Sequence, residues 1–123
     1  MLKKIANYLY TVKYHDFNIN NNNLHIAFLC KNNTIYFTGN NSDRTKIKSI
    51  NYLYHSTHAE IDVVRKYKNS NMRKKLDIIV VRIGKDNSWL FSKPCCHCMT
   101  FLKKEKFLRN IYFYNETDFE KLK

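Results

Sequence analysis

The chain contains only two glycines, one proline and one tryptophan among 123 residues. So little Gly and Pro excludes collagen-like sequences and Pro-rich linkers. Long apolar runs are missing too: stretches such as Ile78 to Val81 fall far short of the ~20 residues that span a bilayer. No secretory signal can be read at the start. Lys3 and Lys4 supply a charged beginning, but Asn7, Tyr8 and Tyr10 interrupt it before an apolar core of about 7–15 residues forms. These absences predict an intracellular, cytoplasmic chain with no membrane segment. Acidic residues are also scarce, with 10 Asp and Glu against 22 Lys and Arg, for a net charge of +12.

What is present predicts one domain over residues 1–123, since single cores usually organise about 100–200 residues. A chain of this size buries roughly two-thirds of the surface that its unfolded form exposes. Hydrophobic residues make up 44%, and 15% are aromatic, which argues against wholesale disorder. The charge is less informative than it looks. Lysine supplies 17 of the 22 cations, and it shares A/T-rich codons with the abundant Asn, Ile, Tyr and Phe. Selection for phosphate contacts would favour the planar fork of arginine. Two segments nonetheless carry a nucleic-acid reading. One holds Arg65, Lys66, Lys68, Arg73, Lys74 and Lys75 with no acid among them; the other holds Lys103, Lys104, Lys106 and Arg109 beside Glu105 alone. Each is either a phosphate track or a solvated face.

Leu2, Ile5, Ala6, Leu9 and Val12 follow the rhythm of an amphipathic helix. An Asn-rich loop follows over residues 15–23. Residues 24–30 and 34–38 are short strands joined by a polar turn, the pattern of a hairpin. A polar loop then runs to Thr57, and a helix starts near His58 with Ser56 or Thr57 as N-cap. Residues 76–83 form a near-continuous apolar run, which suits a strand buried on both faces. A turn over 84–88 and a connection through Trp89 and Phe91 lead to Pro94. Residues 95–108 are expected to form a third helix and residues 110–114 a strand.

Four cysteines occur, and Cys95, Cys96 and Cys98 lie too close together to space out a disulfide framework. The fourth, Cys30, ends an apolar strand and reads as a small core residue. Crowded thiols in an intracellular chain point to metal or redox chemistry. In the C-x-x-C of Cys95 and Cys98, preceded by Pro94, two thiolates at a helix start can converge on one ion. A redox pair, a closed zinc knuckle and an open zinc site with one distant ligand are the three readings. Upstream, His58-Ala59-Glu60 places an imidazole and a carboxylate at a helix start two positions apart. His-x-Glu followed by Pro-Cys-x-x-Cys is the zinc deaminase signature. Cys96 and His97 receive lining or packing roles, because one turn cannot aim four successive side chains at one ion. His15, His25 and His55 have no partner spacing, and Trp89 and Phe91 divide between base stacking and core.

With these motifs the chain resembles the cytidine deaminase-like superfamily, specifically its CMP/dCMP-type deaminase domain. His58-Ala59-Glu60 and Pro94-Cys95-Cys96-His97-Cys98 match the two halves of the family motif. Ser92 corresponds to a serine often found just ahead of the proline, although Lys93 intervenes here. Asn41, after Gly39-Asn40, is similar to the asparagine that contacts the nucleotide sugar. The resemblance implies an α/β fold, a three-layer α/β/α sandwich whose mixed central sheet has four to five strands. It implies Zn²⁺ held by His58, Cys95 and Cys98, Glu60 as the catalytic proton carrier, and Asn41, Ala59, Ser92 and Pro94 at the substrate. It further implies assembly into a homo-oligomer, as small relatives commonly do.

Only residues 117–122 remain for a fifth strand, reached by a tight turn over 115–118 and therefore antiparallel. Such a hairpin resembles the free-cytidine type, whereas the metal-binding His resembles deoxycytidylate and polynucleotide deaminases. Three functions follow. The first is a hydrolase of cyclic amidine C–N bonds that converts a cytosine nucleoside or nucleotide to uracil product and ammonia. The second deaminates cytosine or adenine within RNA or single-stranded DNA. The third is a catalytically silent zinc-binding module, which has no use for Glu60.

Overall fold

The computed structural model describes residues 5, 24–41, 58–84, 88–115 and 118–121. β1 (Leu24–Lys31) and β2 (Thr34–Asn40) form the expected hairpin, β2 running on through Gly39 and Asn40. Its turn is Asn32-Asn33, both at positive φ (49° and 65°). Asn enters the left-handed region more readily than most residues, and two in succession suit the twist of a hairpin. α1 (Ala59–Asn69) leads to β3 (Leu76–Ile83), then β4 (Trp89–Leu90), α2 (Cys96–Lys103), β5 (Leu108–Tyr114) and β6 (Phe119–Lys121).

The sheet is mixed, in the order β2-β1-β3-β5-β6. β1 runs antiparallel to both β2 and β3, while β3 and β5 are parallel. The parallel pair needs a crossover, and α2 supplies it. β6 closes antiparallel on β5, as the short tail predicts. Its turn is held by Asn115, whose N–H donates to the Asp118 carbonyl (2.9 Å) and whose Oδ1 accepts from the Asp118 N–H (2.9 Å). β4 is an addition: it pairs Arg82 with Leu90 and Ile83 with Trp89 where the sequence suggests only a connection.

β3 is buried on both faces, which is why it reads as an apolar run. On one face Ala27, Leu29, Ile78 and Val80 meet Ala59, Val63, Val64 and Tyr67 of α1 and Leu102 of α2. On the other, Ile26, Phe28, Ile79 and Val81 pack with Cys30 and with Ile5, which is helical and fully buried. Each large aliphatic side chain so buried contributes about 1.5–3 kcal/mol. Ile5 marks the layer where the N-terminal helix is expected. The rest of that helix, the loop over 15–23, Ser56, Thr57, His15 and His55 lie outside the described residues.

Two expectations are corrected. α2 stops at Lys103 instead of continuing to residue 108, so of Lys103, Lys104 and Lys106 only Lys103 is helical. Lys103-Lys104-Glu105-Lys106 has good helix propensity, but the chain must turn there to bring Leu108 into register beside Leu76. The Leu76 N–H donates to the Phe107 carbonyl (2.8 Å), and the Leu108 N–H returns to the Glu105 carbonyl (3.3 Å). Tertiary pairing overrides local preference. At α1, the N-cap is His58 itself rather than Ser56 or Thr57.

Candidate metal centre

β2, β3 and β5 point the same way, and both helices begin at the carboxyl ends of these strands, the edge where open α/β sheets bind ligands. Gly39 lets α1 approach that edge. A Cβ there would sit 2.6 Å from the Val63 backbone N and 3.0 Å from the Ala59 carbonyl O. Asn40 fixes the contact further, its N–H donating to Asp62 Oδ2 (3.2 Å).

The two helix starts supply the cluster. His58 is the N-cap of α1 but makes no side-chain cap; its ring is directed to the other helix. Nδ1 lies 3.0 Å from Cys98 Sγ and 4.0 Å from Cys95 Sγ. Cys95 is the N-cap of α2, and its Sγ accepts from the Cys98 N–H at 3.4 Å. All three ligand atoms lie within 4.8 Å of one another. The starts of both helices therefore meet at one cluster. Cys95 is exposed, His58 half-buried and Cys98 fully buried, so the cluster is reachable from one side.

Glu60, two positions along α1 from His58, is 4% exposed. Burial raises its carboxyl above the ordinary carboxylate range, opposed by its backbone hydrogen bond and by the Cys98 thiol, which hydrogen-bonds it. The Cys98 thiol is likewise pushed up, first by burial and then by the charges of Glu60 and Cys95. His58 is pushed down by burial and next by His97, which favours the neutral ring, the form that ligates a metal.

The donor set fits zinc. Bonds of about 2.0 Å to N and 2.3 Å to S in a tetrahedron separate the donors by roughly 3.5–3.8 Å. The observed 3.0 and 4.0 Å bracket that range. A divalent cation would also reverse the penalty on the buried thiol and carboxylate, because the ion becomes the largest local charge. Among the described residues three side chains form the set, and three protein ligands with an open fourth position are the pattern of catalytic rather than structural sites.

The other expected residues divide. Ala59 opens α1 and is fully buried. Asn41 sits at the end of β2, its Oδ1 accepting from the His25 N–H (2.9 Å). Pro94 is buried directly before the α2 N-cap. Ser92 is 3% exposed and acts as a clip: its Oγ donates to the Val80 carbonyl (2.7 Å) and accepts from the Tyr114 N–H (2.8 Å). It ties β3 to β5 just before the Cys motif. Trp89 packs on the far-face core, whereas Phe91 is 43% exposed and edge-on to Phe113. Cys96 is exposed, in keeping with a non-ligand role.

Sequence reasoning missed His25 and Arg82. They face each other across β1 and β3, and the charges of Arg82 and His58 both act on His25. Only strand register brings them together; no spacing in the sequence signals it.

No family model and no curated protein matches the sequence. Solved structures do. The cytidine deaminase from Mycobacterium tuberculosis matches with a TM-score of 0.55 at 15% identity, over 98% of this chain and 85% of that one. A point mutant of that enzyme matches with a TM-score of 0.55 at 17% identity, over 85% and 76%. The cytidine deaminase from Mycobacterium leprae matches with a TM-score of 0.53 at 14% identity, over 85% and 78%. With its mixed sheet and two helix starts meeting at one edge, the chain has the cytidine deaminase fold.

Proposed function

We propose that this chain, folding as a single domain, is a zinc-dependent hydrolytic deaminase that converts a cytosine nucleoside or nucleotide to the uracil product and ammonia. The observation that carries this reading is the buried Glu60 carboxyl, in contact with Cys98 of the His58/Cys95/Cys98 cluster. A purely structural metal site has no need of such a group. Zinc, when bound by those three side chains, supplies Lewis-acid activation of water.

The residues then divide the work. Glu60 takes one proton from the attacking water and delivers it to the ring nitrogen, which keeps it, then carries the second proton of that water to the departing amine. The water oxygen bonds to C4 of cytosine, the C4–N bond breaks, and the nitrogen leaves as ammonia. Burial favours a carboxyl that can hold the proton between these transfers, and such positioned proton transfer typically contributes about 10²–10⁴-fold. In this reading Asn41 contacts the sugar, Ala59 and Pro94 line the base site, and Ser92 positions the segment carrying Pro94 and Cys95.

The test combines metal analysis with ammonia release from cytidine, dCMP, single-stranded DNA and RNA. One zinc per chain and turnover of a free nucleoside or nucleotide are expected. Glu60→Ala should retain zinc and lose turnover. Deamination of cytosine or adenine only within polynucleotides would move the reading to that substrate class. Zinc without ammonia from any substrate would leave a silent module.

A further inference from the structure

The end of the sheet opposite the metal centre is also organised. Arg73, Lys74 and Lys75 lead into β3, while Lys103, Lys104 and Lys106 flank the turn into β5; all six are exposed. The hydrogen bond from Leu76 N–H to the Phe107 carbonyl joins these two segments side by side. Two carboxylates lie at this pole, and both are engaged: Glu105 with Lys68 (2.7 Å) and Asp77 with Arg109 (3.2 Å). Among the described residues, no carboxylate pairs with Arg73, Lys75, Lys103, Lys104 or Lys106.

The backbone that presents these cations is held in place. Tyr67 Oη donates to the Lys74 carbonyl (2.8 Å), Ser70 Oγ accepts from the Met72 N–H (3.2 Å), and Lys74 Nζ lies 5.1 Å from the Tyr36 ring centre. Ordinary solvated lysines have no such fixed platform. Cations on a fixed backbone lose less freedom when they bind, so a repeating polyanion gains more from them. α2 runs from the metal centre at Cys95 to this pole at Lys103, eight residues or about 12 Å at the usual rise per residue.

We propose that this basic pole docks the phosphate backbone of a nucleic acid, at a surface separate from the metal centre. Contact to phosphates needs no base readout and makes affinity fall steeply with salt. The pole therefore tethers the protein to a strand and leaves the metal centre open.

Fluorescence anisotropy of a labelled single-stranded oligonucleotide tests this, with a duplex of the same sequence as a second arm to distinguish the source of the phosphates. Binding at low ionic strength is expected. Arg73→Glu with Lys75→Glu should weaken it at least tenfold and lower the salt slope by about 1.4, from two phosphates at about 0.7 each. Lys103→Glu with Lys106→Glu should act in the same way. Lys93→Glu with Lys121→Glu, equal in charge but away from the pole, should weaken binding less than threefold. Zinc content of each variant reports that it is folded.

Equal losses in the pole and control variants, or no binding at low ionic strength, would overturn the proposal. So would tighter, pole-dependent retention on vesicles containing phosphatidylserine, which would identify a lipid surface instead. Ammonia release from cytidine is read separately, so failure of the docking surface and failure of the deaminase reading are distinguishable.

Discussion

A carboxyl group that is 4% exposed in the first turn of a helix is costly in an apolar setting. Glu60 bears that cost beside a buried thiol: burial raises the carboxyl against the hydrogen bond from Cys98, while burial and then the Glu60 charge raise the thiol. His25 is shifted in the other direction. Burial, then Arg82, then His58 lower it to about 4. The unfolded chain takes up a proton near 6.5, the folded chain only near 4, so stability falls as pH drops through that window. The loss is at most about 3 kcal/mol. Urea unfolding at about pH 7 and about pH 5 reads the upper part of it, about 2 kcal/mol, and His25→Gln should flatten the difference. Gly39 offers a steric test. Gly39→Ala puts a methyl 2.6 Å from the Val63 N, so α1 must shift. A loss of about 1–3 kcal/mol in denaturant titration, together with weaker zinc retention, is expected.

At the scale of elements, the centre depends on how two helix starts are held. Ser92 clips β3 to β5 immediately before α2. Ser92→Ala leaves the buried Tyr114 N–H and Val80 carbonyl without that partner, and should cost about 1–3 kcal/mol by urea unfolding. Ser92 stands near Pro94 in the sequence, separated from it by Lys93, and its strand-joining hydrogen bonds are visible only in three dimensions. The β1–β2 hairpin and β3 were readable because their apolar patterns report burial. The end of α2 was not. Lysine and glutamate favour helix, and nothing local announces that Leu108 must pair with Leu76. β4 was missed because two residues carry too little pattern for a strand.

Among the described residues of the whole molecule, the candidate metal centre lies toward the carboxyl ends of β3 and β5, and the cations that no described carboxylate pairs with cluster at their amino ends. Under the proposed function, zinc held by His58, Cys95 and Cys98 at the starts of α1 and α2 would bind the folded state in preference to the unfolded one. Chelation should therefore lower the thermal midpoint, and zinc at 100 times its dissociation constant should stabilise by about 2.7 kcal/mol. Calorimetry with and without chelator checks this, and Cys95→Ser should reduce the difference. Among the described residues, no helix is long and apolar enough to cross a membrane.

Of the two glycines, Gly39 is where α1 packs too closely for a Cβ, and the single proline, Pro94, is buried before the α2 N-cap. By itself the sequence determined the donor types, their pairing with Glu60, and the main strands and helices, because these follow from spacing within one turn or one strand. Tertiary structure alone decided that His58 Nδ1 reaches Cys98 Sγ across 40 positions. It also decided that Glu60 is buried, that His25 faces Arg82, and that the cations gather at the far pole. Those relations depend on sheet register and on helix packing across it, and no local pattern of residues encodes them.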